Sequence, residues 1–249
     1  MNGRRILVTG AASGIGSAVC RRMASRHTAF VVHTRRNFEG AKATVSAIRD
    51  LGGTASVELA DLAEFGAGRS LVERAADAMG GLDVLVINAG YALKTPLTQV
   101  SDSEFETAHA TISRGFFEMV KAAVPHLKKA VMPRIVTVSA FGPHVWRTQV
   151  LSFPATAAAK AAMEAGAKAL ALELAPDGIP VNIVAPGFVQ KDAGTHRAMS
   201  AEALCATEAQ IPMGRIAKTD EIAAVIAFCA SADASYMTGQ VIHVNGGLV

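Results

Sequence analysis

The chain has 249 residues, of which 51% are hydrophobic and 18% are charged, so it can form a large apolar core and is not intrinsically disordered. A net charge of +3, without basic residues interleaved with aromatic ones, argues against nucleic acid as a partner. No apolar run is long enough for a signal peptide or a membrane span, so we expect a cytoplasmic protein that does not enter membranes.

The cysteines and histidines do not suggest a metal site. Cys20, Cys205 and Cys229 form no CxxC pair, and each lies in an apolar or helical context. We therefore expect buried, reduced thiols. The seven histidines are dispersed, at spacings that do not suit metal ligands, so the sequence predicts no metal.

Short apolar runs alternate with helical patterns along the chain. Strands are predicted at residues 6–9, 29–34, 55–59, 84–88, 135–138, 181–185 and 241–244, with helices between them, beginning with 14–26 and 38–51. Because the apolar runs are continuous, both faces of each strand should be covered, as in a parallel sheet. Right-handed crossovers then place helices on both faces. The sequence predicts a single doubly wound α/β domain over residues 1–249, with about seven parallel strands.

A glycine-rich turn follows the first predicted strand and begins the first helix. It reads Thr9-Gly10-Ala11-Ala12-Ser13-Gly14-Ile15-Gly16. Gly10 permits a tight turn, Gly14 lets backbone amides approach a pyrophosphate, and Gly16 allows close packing of helix on strand. The unpaired amides and partial positive charge of a helix N-terminus favour phosphate. The turn therefore predicts a dinucleotide site of the Rossmann-fold type.

The spacing Gly-x-x-x-Gly-x-Gly resembles that of the short-chain dehydrogenase/reductase family. Further matches extend over nearly the whole chain: Asp61-Leu62, Asn88-Ala89-Gly90, Pro186-Gly187, Thr238-Gly239-Gln240 and Asn245-Gly246-Gly247. The resemblance implies an NAD(P)-dependent oxidoreductase that interconverts a carbonyl and an alcohol on a small molecule. It also implies cofactor contacts from Gly10, Ser13, Gly14, Ile15, Gly16, Asp61, Leu62, Asn88, Ala89, Gly90, Lys160, Pro186, Gly187 and Val189.

The second predicted strand indicates NADP rather than NAD. It ends His33-Thr34-Arg35-Arg36, where an enzyme that uses NAD usually has a carboxylate for the ribose 2′-hydroxyl. A carboxylate would repel a 2′-phosphate, whereas guanidinium groups bind phosphate through a planar fork of donors. We therefore expect Arg35 and Arg36 to bind the 2′-phosphate of NADP(H).

The catalytic positions implied by the family are largely substituted. The family carries Tyr-x-x-x-Lys, and this chain has Thr156 and Lys160. Ile112 stands at the position of the asparagine in the fourth helix, and Ala140 at that of the catalytic serine. Ser139 lies one position earlier, so its side chain is predicted to point to the other face of the strand. The segment between Ala140 and Thr156 is also longer than in the family, which indicates an extended active-site loop.

Three explanations of these substitutions remain open. In the first, another residue donates the proton, with Tyr91, His144 and Ser152 as candidates. In the second, the substrate needs little acid assistance and hydride positioning dominates. In the third, the chain binds NADP without catalysis and has a regulatory or partner role. The candidate catalytic residues are Lys160, Thr156, Ser139, Tyr91 and His144.

Residues 190–212 are predicted to form a substrate loop. His196, Met199, Leu204 and Cys205 follow a helical pattern, which indicates a mobile lid and favours an apolar substrate. Lys191 replaces a threonine that contacts the cofactor in the family. The alanine-rich helix at 154–175 allows close helix packing, and the resemblance implies a homodimer or homotetramer.

Overall fold

Seven parallel strands form one sheet in the computed structural model, which describes residues 3–148, 150–190 and 200–248. The strand order is β3-β2-β1-β4-β5-β6-β7. The bounds are Arg4–Val8 (β1), Thr28–Thr34 (β2), Thr54–Leu59 (β3), Val84–Ile87 (β4), Arg134–Val138 (β5), Val181–Pro186 (β6) and Val241–Val244 (β7). Each predicted strand lies within two residues of an observed one, and the predicted doubly wound α/β fold is confirmed.

Helices cover both faces of the sheet. They are Gly14–Met23 (α1), Phe38–Asp50 (α2), Ala67–Met79 (α3), Asp102–His109 (α4), Gly115–Leu127 (α5), Pro154–Leu174 (α6), Ala201–Glu208 (α7) and Thr219–Cys229 (α8). A π-helical turn, Ala110–Arg114, joins α4 to α5. One apolar core contains side chains of α1, α2 and α8, and the other contains side chains of α3, α5 and α6.

The order of the strands places a crevice at the carboxyl ends of β1 and β4. Strand β1 pairs with β2 on one side and with β4 on the other, so the crossovers that leave these two strands run in opposite directions. In open α/β sheets, ligands bind at this reversal. The loops that follow β1, β2, β4, β5 and β6 therefore contain the residues to consider as a site.

Two expectations from the sequence were wrong in detail. The first helix ends at Met23 rather than near residue 26, because Ala24 takes an extended conformation. Cys205 is exposed, although Cys20 and Cys229 are buried as expected. Helix α7 directs Thr207 inward instead, and Thr207 is 8% exposed. The predictions for Lys191, His196 and Met199 fall outside the described residues.

None of the helices that the structure describes combines the length and the apolar character needed to span a bilayer.

Candidate active site

The turn between β1 and α1 is tightly packed against the end of β4. Gly10 has a φ of +63°, and a Cβ there would lie 2.9 Å from Cα of Ala89. At Gly16 a Cβ would lie 2.4 Å from the carbonyl oxygen of Gly10. Side chains at these two positions would therefore displace backbone. The turn leads directly into the N-terminus of α1, whose partial positive charge suits a pyrophosphate.

Thr9 and Asn88 connect this turn to β4 through side-chain hydrogen bonds. The Thr9 hydroxyl accepts from the backbone amides of Asn88 (2.9 Å) and Ala89 (3.0 Å). The side-chain amide of Asn88 donates to the carbonyl oxygens of Thr9 (2.9 Å) and Gly10 (3.0 Å). Four bonds thus fix Asn88-Ala89-Gly90, which the resemblance places beside the cofactor.

His33 supports the same turn from β2, a role that the sequence did not predict. The amide of Gly10 donates to Nδ1 of His33 at 3.3 Å, and Nε2 lies 3.0 Å from the carbonyl oxygen of Ala60. Because Nδ1 accepts, Nε2 must carry the proton and donate, so the ring is neutral. Burial lowers the pKa of His33, which favours this neutral form.

The arginines that follow β2 are exposed at the edge of the crevice. Arg35 and Arg36 are both exposed, and the guanidinium of Arg35 lies 3.9 Å from the Asp61 carboxylate. Asp61 also accepts from the amide of Ala63, whereas the side chain of Leu62 is buried in the core. The glycine-rich turn and the two exposed guanidinium groups beyond β2 fit a dinucleotide that carries a 2′-phosphate.

Pro186, Gly187 and Val189 border the crevice on the β6 side. The amide of Gly187 donates to the carbonyl oxygen of Val244 at 3.0 Å, and a Cβ on Gly187 would lie 2.8 Å from Cα of Asn245. Val189 forms a parallel bridge with Ala217. These contacts hold the chain that leaves β6 close to the end of β7.

Lys160 projects from α6 to the end of β5. Its ammonium donates to the carbonyl oxygen of Val138, and a Cβ on Gly90 would lie 3.2 Å from Nζ. Burial lowers the pKa of Lys160 to about 8, and the nearby Glu164 carboxylate acts in the opposite direction. Lys160 therefore reaches the crevice between β4 and β5 as a buried ammonium with a lowered pKa.

The Thr156 hydroxyl has a structural role in the described contacts. It accepts from the amide of Leu93 at 3.3 Å and donates to the carbonyl oxygen of Phe153 at 3.2 Å. The residue is 3% exposed. An aliphatic hydroxyl in these bonds connects the loop after β4 to the first turn of α6, and it makes a poor general acid.

Ser139 points to the face of the sheet on which α6 packs. Its hydroxyl donates to Oε1 of Glu164, and Nε2 of His144 lies 3.0 Å from the same oxygen. Glu164 and Ser139 are 4% and 5% exposed, whereas the His144 side chain is 26% exposed. We refer to Glu164, Ser139 and His144 as the Glu164 cluster. The sequence singled out Ser139 and His144 but not the carboxylate that brings them together.

The remaining candidate positions have fewer described contacts that would suit proton transfer. Ile112 is 2% exposed within the π-helical turn and supplies no polar atom where the family has an asparagine. Tyr91 is 40% exposed. Burial raises the pKa of Tyr91, while Arg35 lowers it and Glu104 raises it. Ser152 is exposed. Among the described residues, no group of three His, Cys, Asp or Glu residues could hold a metal ion.

An apolar cluster includes residues of the extended loop. Phe141 packs against Phe153 and Phe188, with ring centroids 6.0 and 4.7 Å apart. Val145, Val150 and Leu248 complete the cluster. It joins the loop after β5, the chain leaving β6 and the C-terminal segment, so these three segments share one small apolar core.

The fold is that of the short-chain dehydrogenase/reductase class of oxidoreductases. A family model of this class, described as enoyl-(acyl carrier protein) reductase, matches residues 10–249. The chain belongs to the short-chain dehydrogenase/reductase family.

Relatives and solved structures agree with this membership. The chain is 33% identical to 3beta-hydroxysteroid dehydrogenase 1 of Eggerthella lenta over 100% of this chain and 94% of that protein. It is 35% identical to 3-oxoacyl-(acyl-carrier-protein) reductase FabG of Salmonella typhimurium, over 99% of this chain and 97% of the relative. It is 31% identical to a short-chain dehydrogenase from Burkholderia cenocepacia, solved in complex with NADP. The TM-score is 0.88, with 99% and 98% of the two chains covered.

Proposed function

We propose that this protein is an NADP(H)-dependent oxidoreductase that interconverts a carbonyl and an alcohol on a small apolar substrate, with a divergent catalytic site. The observation that carries the proposal is Lys160, which reaches from α6 to the crevice beside Gly90 and Val138. A buried ammonium at that edge of the sheet suits the ribose of a dinucleotide held by the β1–α1 turn.

The preference for NADP(H) over NAD(H) rests on Arg35 and Arg36. Both guanidinium groups are exposed directly after β2, at the position that would meet the ribose 2′-substituent. Asp61 lies near Arg35 and helps to orient it, at 3.9 Å. The relative from Burkholderia cenocepacia supports this assignment, since its structure contains NADP.

The chemistry divides between the cofactor and the protein. When bound, NADP(H) supplies or accepts the hydride. Lys160 holds the cofactor and places a positive charge near the developing oxyanion of the substrate. The apolar cluster around Phe141 excludes water from the pocket and favours a hydrophobic substrate. The steroid and acyl substrates in the names of two relatives are consistent with an apolar group.

The test is NADPH oxidation against a panel of ketones, quinones and acyl thioesters, with NADPH binding followed by fluorescence in the same samples. Turnover of a carbonyl compound, with NADPH preferred to NADH, is the expected result. Tight NADPH binding without turnover across the panel would favour the second candidate, a non-catalytic NADP-binding member with a regulatory or partner role. This second function is supported by the hydrogen bonds of the Thr156 hydroxyl, which is held by Leu93 and Phe153.

We also propose a homodimer or homotetramer in the cytoplasm. Helix α6 is rich in alanine, and Leu172 on it is 78% exposed in the single chain, which suits a helix that packs against a second copy. Light scattering is the measurement, and a monomeric mass would contradict this part of the proposal.

A further inference from the structure

The Glu164 cluster contains a carboxylate that the family resemblance does not account for. A buried carboxylate is costly unless it is paired and hydrogen-bonded. Here Ser139 and His144 both approach Oε1, and the His144 ring packs at 87° to that of His243, with centroids 4.5 Å apart. The cluster therefore connects α6, the end of β5, the extended loop and β7.

This cluster adjoins the residues that face the crevice. Glu164 follows Lys160 by one helical turn on the same side of α6. Lys160 in turn donates to Val138, the residue before Ser139, and lies against Gly90. The cluster and the cofactor edge thus share the end of β5, and the His144 side chain of the cluster is 26% exposed.

The described alternatives for a proton donor are weaker on structural grounds. The Thr156 hydroxyl is held by Leu93 and Phe153, and Ala140 has no polar side-chain atom. Tyr91 is 40% exposed, and no described hydrogen bond holds its hydroxyl. His144 is an ionisable candidate whose ring is oriented by a carboxylate, at 3.0 Å.

We propose that His144, positioned by Glu164, exchanges the proton with the substrate oxygen; this inference rests on the proposed function. In the direction of reduction, the N–H bond at Nδ1 of the imidazolium breaks and an O–H bond forms on the substrate, while the hydride from NADPH completes the alcohol. The ring is left neutral, with its remaining proton on Nε2, where it is donated in a hydrogen bond to Glu164, and Nδ1 regains a proton from solvent. In oxidation the neutral ring accepts the proton.

Each neighbour has a separate part in this arrangement. Glu164 is a positioning residue, and Ser139 holds its carboxylate by a hydrogen bond. The groups that face His144 are Glu164 from α6 and His243 from β7, and Lys168 on α6 acts on His243. Glu164 is the acidic group among them, and its carboxylate lies within hydrogen-bond distance of Nε2 of His144.

The test compares His144→Gln, Glu164→Gln and a matched control, Thr137→Val. Thr137 makes another side-chain contact between β5 and α6, with its hydroxyl 3.0 Å from Sδ of Met163. His144→Gln should lower kcat by about 100-fold or more, the usual contribution of general acid catalysis. The dissociation constant of NADPH should stay within about twofold of the wild-type value, since His144 makes no part of the phosphate turn. Added imidazole should restore part of the turnover of His144→Ala.

Glu164→Gln should lower kcat by about 10-fold, as expected when an orienting partner is lost. The descending limb of the pH–rate profile should also move to lower pH, because the imidazolium loses a neighbouring negative charge. A readout without turnover is NMR of isotope-labelled histidine in the cofactor-free protein. The midpoint of the His144 titration should move to lower pH in Glu164→Gln, and it should not move in Thr137→Val.

Three results would overturn the inference. If the wild type turns over and His144→Gln keeps its kcat within about threefold, the inference fails and the proposed function stands. If Glu164→Gln lowers only thermal stability, and neither the pH–rate limb nor the His144 titration moves, the positioning role of Glu164 fails. Tight NADPH binding by the wild type without turnover would overturn both the inference and the proposed function.

Discussion

The ammonium nitrogen of Lys160 lies 2.5 Å from the carbonyl oxygen of Val138, and both residues are buried. The position is costly for a charge, because burial lowers the pKa of Lys160 from 10.5 to about 8. A lowered pKa of this size corresponds to about 3 kcal/mol of destabilisation while the group is protonated in both states. The Lys160 ammonium therefore destabilises the fold at a position where it could bind a nucleotide.

The first prediction concerns the pH dependence of stability in Lys160→Met. Between pH 8 and 10.5, the unfolded wild type holds a proton that the folded protein lacks, so wild-type stability rises through this window. The variant lacks this rise. The difference in the free energy of unfolding should shift by about 2–3 kcal/mol in favour of the wild type between neutral pH and about pH 10. Urea unfolding at several pH values measures it.

Lys42→Met is the control for this prediction, because it removes an exposed lysine and should show no such shift. Parallel plots of unfolding free energy against pH for wild type and Lys160→Met would contradict the prediction.

The second prediction separates Thr156 from catalysis. Thr156→Val removes the hydroxyl that bonds Leu93 and Phe153, so it should lower the free energy of unfolding by about 1 kcal/mol. Turnover should stay within about threefold, because an aliphatic hydroxyl contributes little as an acid. Thr156→Ser, which keeps the hydroxyl, serves as the control for stability. A folded Thr156→Val protein without turnover would show that this hydroxyl takes part in the reaction.

The third prediction concerns selection between the two nicotinamide cofactors. The double change Arg35→Ala and Arg36→Ala should weaken NADPH binding by about 10- to 100-fold, because charge-assisted hydrogen bonds to the 2′-phosphate are lost. NADH has no such phosphate, so its affinity should hardly change. Fluorescence titration with both cofactors measures the two effects. Lys42→Ala, which removes an exposed cation of α2, is the matched control. Equal losses for NADPH and NADH would remove Arg35 and Arg36 from this role.

The fourth prediction follows from the neutral ring of His33. Burial lowers the pKa of His33 below its ordinary value of 6.5, so this group contributes stability above that value and loses it as the pH falls toward the folded pKa. Protonation also removes the acceptor that Nδ1 offers to Gly10. The stability advantage of the wild type over His33→Asn should therefore shrink on acidification. Unfolding curves at neutral and mildly acidic pH test this, with the exposed His27 changed to Asn as control. A constant advantage would mean that folding does not change the pKa of His33.

Much of the fold could be predicted because its signal is carried by many residues at once. Each buried strand is a continuous apolar run, and the turn from Gly10 to Gly16 has a spacing that few other structures require. Single polar residues inside apolar patterns carry no such redundancy. His33 reads as one more residue of a strand, although its ring joins Gly10 to Ala60. The exposure of Cys205 depends on how a short helix is rotated, which its weak pattern does not determine.

The Glu164 cluster shows where a further signal was available. Glu164 is an acidic residue in an alanine-rich helix, four positions after Lys160, so the two side chains share one face of that helix. If Lys160 faces the crevice, Glu164 must therefore lie on the side of α6 that packs against the sheet. The sequence does not show which residue meets Glu164, because the path of the extended loop determines that His144 approaches it.

The bonds between Thr9 and Asn88 also have a kinetic consequence. They join residues that are 79 positions apart, with β2 and β3 between them along the chain. Closing a loop of this length costs conformational entropy before the bonds form. We therefore expect the nucleotide turn to take its final shape late in folding, when β4 pairs with β1. On this expectation, a half-folded chain has the complete glycine motif and still lacks a surface that can retain the nucleotide.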